Sequence, residues 1–180
     1  MAPTTGSITT ITNIFTVAQA EQFFPVPYGI GSGPFAGQVF KFAFGGVVTT
    51  GTTGTMVITP WYGGAGTSTA VNMGASVAQT YTPSITTQPY TVEGYLAFKT
   101  ITMAATTSSA YLNGIWIAQG TAATASTGWV QSFGTASTTA ISVDTSGLAT
   151  AHLYGSLNFS ITFSVAGTVA VNWTSMQSLN

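Results

Sequence analysis

Cysteine is absent from the 180 residues, and so is arginine. Without thiols there is no disulfide framework, no thiolate nucleophile and no soft metal ligand. Charge is almost missing as well. Glu21, Lys41, Glu93, Lys99 and Asp144 are the only charged side chains, 3% of the residues, against about 25% in an average soluble domain. Two lysines cannot neutralise a phosphate backbone, which excludes a nucleic-acid partner. Three scattered acids and one histidine, His152, offer no clustered ligands for a hard metal. No cofactor is expected. No apolar run reaches the roughly 18 residues that a spanning helix needs. Residues 1–10 lack the basic and apolar regions of an export signal, so none is expected there.

What is present is neutral, small and strand-forming. Hydrophobic residues make up 45% and mean hydropathy is +0.40, while Thr, Ser, Gly and Ala stand where a free-standing protein places Lys and Glu. A net charge of −1 gives little long-range repulsion, so copies of the chain can associate. Hydroxyl-rich faces also cost less to desolvate than charged ones. These features suit a component of an assembly; a secreted neutral domain is the other reading of the composition.

Residues 157–173 organise the chain. Leu157, Phe159, Ile161, Phe163 and Val165 alternate with small polar residues, the period of a strand with one buried face. Ala166-Gly167 interrupts the run, and Val169, Val171 and Trp173 resume the alternation. An antiparallel hairpin is expected here, bringing Phe159, Phe163, Val171 and Trp173 into one core. Upstream, Phe40, Phe42 and Phe44 share a face, and Gly45-Gly46 can bend or bulge the strand. Residues 55–59 make a short strand stopped by Pro60, followed by a loop carrying Trp61 and Tyr62. Residues 70–73 form a small edge strand. In residues 90–101, Val92, Gly94, Leu96 and Phe98 face one way and Glu93, Tyr95, Ala97, Lys99 and Ile101 the other. Residues 110–119 are apolar on both faces, which requires burial on both, within the domain or between subunits. Tyr111, Ile115 and Ile117 on one of those faces are therefore candidate subunit-interface residues. Shorter strands are expected at 129–133 and 140–143, and no segment shows a helical period.

The expected fold is all-β, an antiparallel β-sandwich or barrel of about eight to ten short strands separated by turns. Residues 1–36 differ from the rest. Pro25, Pro27 and Pro34 with Gly29, Gly31 and Gly33 break any long ladder there, among several aromatics. An irregular N-terminal arm over 1–36 and a sandwich body over 37–180 follow. Phe23, Phe24, Tyr28 and Phe35 are the candidate anchors of the arm on a partner, and the body is expected to fold without it.

Three stretches together resemble a known family. They are Phe44-Gly45-Gly46 through Tyr62-Gly63-Gly64, the strand at 90–101, and the terminal block Ile141-Ser142-Val143-Asp144-Thr145-Ser146 with 157–165 and 169–179. This pattern is similar to the jelly-roll accessory proteins of tailed bacteriophages, which decorate heads or sit on tails and fibres. The resemblance implies a jelly-roll sandwich that forms a homo-oligomer, commonly a trimer, on the outer surface of the virion. Its partner would be the major capsid protein or another virion protein, reached through the terminal arm. The family often has Arg where Lys99 stands and usually carries more charge.

No enzymatic site emerges from the sequence. His152 and Asp144 with one of many serines could formally make a triad, but no Gly-x-Ser-x-Gly elbow is present. A carboxylate pair for glycoside hydrolysis would have to come from Glu21, Glu93 and Asp144, which the pattern scatters. Trp61, Tyr62, Trp116 and Trp129 could stack sugars, making a carbohydrate-binding sandwich the alternative function; core or interface positions are the plainer account of them. Asn158-Phe159-Ser160 and Asn172-Trp173-Thr174 match the glycosylation acceptor pattern on expected strands. A membrane barrel would carry aromatic girdles at strand ends, whereas these aromatics fall mid-strand.

Overall fold

A computed structural model of the protein describes residues 4–8, 12–27, 35–50, 53–63, 71–81, 87–101, 108–118, 128–135, 139–141 and 154–180. Phenylalanines at alternate positions drive the architecture, since each buried large apolar side chain contributes roughly 1.5–3 kcal/mol before chain entropy is subtracted. Strand β1 is Thr4–Ile8 and β2 is Thr12–Asn13. Helix α1 is Val17–Phe23, and β3 is Pro25–Pro27. Then come β4 (Val39–Thr50), β5 (Gly54–Tyr62), β6 (Val71–Asn72) and β7 (Gln79–Tyr81). The long central strands are β8 (Gln88–Thr100) and β9 (Ser108–Ala118), followed by β10 (Trp129–Gly134) and β11 (Thr139–Ile141). The chain closes with β12 (Tyr154–Phe163) and β13 (Gly167–Ser178).

These strands form two packed antiparallel sheets, the expected β-sandwich. The seven-stranded sheet runs β1-β13-β4-β8-β9-β10, with β11 also on β9. The six-stranded sheet runs β2-β12-β5-β6, with β3 on β12 and β7 on β5. Between them lies one aromatic core. Phe159 of the smaller sheet meets Phe44 and Phe42 of the larger at centroid distances of 4.7 and 5.2 Å.

The terminal hairpin is not formed. β12 belongs to one sheet and β13 to the other, so residues 164–166 cross the sandwich. Ser164 extends the β12–β5 ladder, donating its N–H to the Thr55 carbonyl at 2.8 Å and accepting from the Thr55 N–H at its hydroxyl. Gly167 does not take the left-handed backbone seen at Gly37, Gly63, Gly74 and Gly134, and it opens β13 opposite Thr50. Crossing sets Phe159, Ile161 and Phe163 face to face with Val169 and Val171 instead of beside them, and all five are buried.

Trp173 also departs from expectation. The β13–β4 register shifts between Val171 and Trp173, a bulge that leaves Asn172 unpaired. An extra residue reverses the alternation locally, so Val171 enters the core while Trp173 is 45% exposed. The partner strand has glycines at this point because nothing larger fits. A Cβ on Gly46 would lie 1.9 Å from the Ala170 carbonyl oxygen, and one on Gly45 2.8 Å from the Trp173 ring.

Pro60 does not stop its strand, which continues through Trp61 to Tyr62. The Pro60 carbonyl accepts from the Met73 N–H on the side away from β12. Because a strand residue directs N–H and C=O to the same side, the donor that proline lacks would also point away from β12. No β12–β5 ladder bond is lost.

Residues 1–36 are not an irregular arm over their described part. β1 is the edge of the larger sheet on β13, while β2 and β3 pair with β12 of the smaller. Between them Thr16 caps α1, with its hydroxyl accepting from the Gln19 N–H and the Gln19 side chain accepting from the Thr16 N–H. Phe15 and Phe24 are fully buried, edge-on to each other at 5.3 Å and to Phe44. The segment thus bridges the two sheets along one open side. Proline and glycine forbid a long ladder, but pairings of two to five residues suffice to place aromatics in the core. The opposite side is joined by the Gly134 N–H donating to the Gly74 carbonyl at 3.0 Å.

Candidate functional site

The outward face of the larger sheet is where side chains of interest converge. Residues at odd positions of β4, β8 and β9 point there, since the even ones fill the core. Tyr111, Ile115 and Ile117 all lie on this face and are half-buried, as their alternation implied. Three of the five charged residues, Lys41, Glu93 and Lys99, share it.

Strand register sorts the face into rows. One row runs Trp173, Gly45, Thr91, Ile117, Val130 across five strands. It is uncharged, and its two ends are open, Trp173 being 45% and Val130 65% exposed. The neighbouring Ala170, Val47 and Pro89 extend it. A dimple of about 220 Å³ lies among Pro89, Thr91, Glu93 and Ile117. On the other side of the row the chemistry changes. Ala43, Glu93, Ile115 and Ser132 are register partners, and so are Lys41, Tyr95 and Asn113. Between these two polar rows opens a cleft of about 390 Å³. Lys41, Glu93, Tyr95, Asn113, Ile115 and Ser132 surround it, with the backbones of Gly94 and Gly114 and the ring of Phe133 alongside. Lys99 stands further along, its Nζ 6.0 Å from the Tyr111 ring centroid.

The other sequence candidates are dispersed. Phe24 is fully buried and Phe23 packs against the core, so neither is presented to a partner. The reason is the pairing of β2 and β3 with β12, which draws the segment between them inward. Phe35 is 52% exposed, and Tyr28 lies outside the described residues. The aromatics considered for sugar stacking are mostly interior. Tyr62, Trp116 and Trp129 are buried, and the Trp61 indole donates to the Ser160 hydroxyl at 2.8 Å. Asp144 and His152 lie outside the described residues, while Glu21 sits on α1, apart from Glu93 on β8. Among the described residues no three potential metal ligands cluster, and no helix is long and apolar enough to cross a membrane.

Asn158 is a structural residue. Fully buried, its amide donates to the Phe15 carbonyl at 3.1 Å and accepts from the Phe159 N–H at 2.7 Å, tying the N-terminal segment to β12. That burial removes it as a glycosylation acceptor. Asn172, in the bulge, is exposed.

Sequence reasoning placed Glu93, Tyr95 and Lys99 on one face but did not pair that face with Lys41, Asn113 and Ser132, which come from three other strands. Val130 and Trp173 were missed as surface residues. The Gly45-Gly46 pair was the available signal for Trp173, since it marked a possible bulge.

The fold and this face define an antiparallel β-sandwich with an apolar outer row beside a polar cleft. Comparison with protein-family models, curated proteins and solved structures finds no match to the chain.

Proposed function

We propose that this chain is a non-enzymatic structural subunit of a multi-copy assembly, in the manner of the jelly-roll proteins that decorate tailed-phage heads. The observation that carries the reading is the uncharged row Trp173, Gly45, Thr91, Ile117, Val130, open at both ends on the outer face of the larger sheet. Copies of the chain meet through this row and form a homotrimer. The row itself is uncharged, so association there removes apolar surface from water, with Glu93 of the adjoining dimple left at the edge of the contact. The dimple beside Ile117 and Pro89 receives a side chain of the neighbouring copy. Tyr111 and Ile115 flank the contact.

The assembly adds contacts across a virion shell, with the major capsid protein or another virion protein as partner and no nucleic acid or membrane involved. Phe35 is the surviving described candidate for the shell contact, because Phe23 and Phe24 belong to the body. Jelly-roll kinship belongs to this proposal and rests on the sequence resemblance.

Light scattering on the purified full chain tests the reading, with Ile117→Lys as the variant. The wild type should be a trimer at micromolar concentration. The variant should be a monomer that still melts cooperatively, because Ile117 faces outward, but at a lower temperature than the trimer, since association no longer stabilises the fold. A monomeric wild type sinks the proposal. Co-sedimentation with purified phage heads then tests the shell contact.

A further inference from the structure

The cleft between the two polar rows adjoins the apolar contact, sharing Glu93 with its dimple and Ile115 with its flank, but its chemistry is distinct. Two of the five charged residues in the whole chain, Lys41 and Glu93, line a single opening of about 390 Å³. That volume lies within the roughly 300–1,000 Å³ of small-molecule sites. Lys41 is the register partner of Tyr95, and Glu93 that of Ala43, so base and acid stand diagonally across adjacent strands. Asn113 and Ser132 come from β9 and β10 on the far side. Among the described residues none of these five polar side chains has a hydrogen-bond or ion-pair partner within the chain. Their donors and acceptors are available to a ligand.

We infer that this cleft binds a neutral sugar unit. Sugar hydroxyls both donate and accept, which matches a set made of one ammonium, one carboxylate, one amide and one hydroxyl. One acid and one base leave the site without net charge. An anionic ligand would face Glu93 and a cationic one Lys41, whereas a polyhydroxylated neutral ligand uses both. Tyr95 is 46% exposed at the rim. Its ring supplies an apolar face for the C–H side of a sugar, and its hydroxyl a further polar contact. Apolar surface, Ile115 and the Phe133 ring included, is the greater part of the lining, so the C–H faces of a sugar are accommodated while the polar groups read its hydroxyls. Gly94 and Gly114 are register partners at core-facing positions, and a Cβ on Gly114 would lie 2.2 Å from the Phe133 ring, so the absence of a side chain there leaves room for that ring beside the cleft. The site differs from the tryptophan platform that composition suggested, because those indoles are buried or bonded within the fold.

The test is saturation-transfer NMR and titration on the full chain. The probes are the methyl glycosides of glucose, galactose, mannose and N-acetylglucosamine. At least one glycoside should bind the wild type in the millimolar range. Asn113→Ala and Tyr95→Ala should each weaken it at least about tenfold, the loss of one or two polar contacts at about 1.4 kcal/mol per decade. Both positions are exposed, so melting temperatures should hold. Thr168→Ala, on the same sheet face but away from the cleft, should bind as the wild type does. No transfer to any of the four glycosides, or affinity that survives both cleft substitutions, overturns the inference. Neither result bears on the trimer, which scattering measures separately.

Discussion

Tyr90 shows how a single side chain links this core to solution conditions. It is buried, edge-on to Phe44 and Trp116, and its hydroxyl donates to the Ala170 carbonyl at 3.3 Å. Burial disfavours the phenolate and raises the pKa well above the usual tyrosine value. The folded state therefore holds this proton where the unfolded chain, with a pKa of about 10, begins to lose it. Linkage gives the sign: the contribution is complete below about pH 10 and is lost as pH rises toward the folded-state pKa. Urea midpoints should be level from neutral pH to about 10 and then fall, and Tyr90→Phe should flatten part of that fall. An unchanged alkaline slope in the variant would clear Tyr90 of the effect. Burial of Phe42, Val92 and Phe163 was legible residue by residue, because alternation alone assigns a face. Trp173 was not, since one unpaired residue in β13 reversed the alternation and only the partner strand reveals it.

At the scale of elements, the N-terminal segment carries the main correction. It supplies β1 to one sheet, β2 and β3 to the other, and two fully buried phenylalanines. Deleting residues 1–36 should therefore abolish folding of the remainder instead of releasing a stable body. Each buried phenylalanine removed costs about 3–5 kcal/mol, comparable with a whole domain's margin of about 5–15 kcal/mol. Loss of near-ultraviolet circular dichroism and of a cooperative melt is the expected result; a cooperative melt in the truncated chain would restore the arm. Thr16-x-x-Gln19 forms a capping box, a helix start that went unread in the sequence. A helix of only seven residues shows too little periodicity to be read beside it.

For the whole molecule, the scarcity of charge governs behaviour. With five charged side chains, of which three lie on one sheet face, ionic screening has few interactions to act on. Dissociation of the proposed trimer, measured at low and at high sodium chloride, should be nearly the same, or slightly weaker at high salt. Steep salt-induced dissociation would mean that charge pairs, not the apolar row, hold the copies together.

The sequence by itself determined the all-β class, the long strands and the inward face of most of them. Those properties depend on period and composition, which are local. Only the tertiary structure decided which strands are neighbours. Alternation in residues 157–165 and 169–173 is the same whether the two runs pair as a hairpin or cross between sheets. The choice came from the aromatic core, which packs Phe159 between Phe42 and Phe44 of the opposite sheet. The same holds for the cleft. Lys41, Glu93, Asn113 and Ser132 lie on four strands and have no common sequence spacing. Pairing register brings them together, and register is set by contacts among residues far apart in the chain.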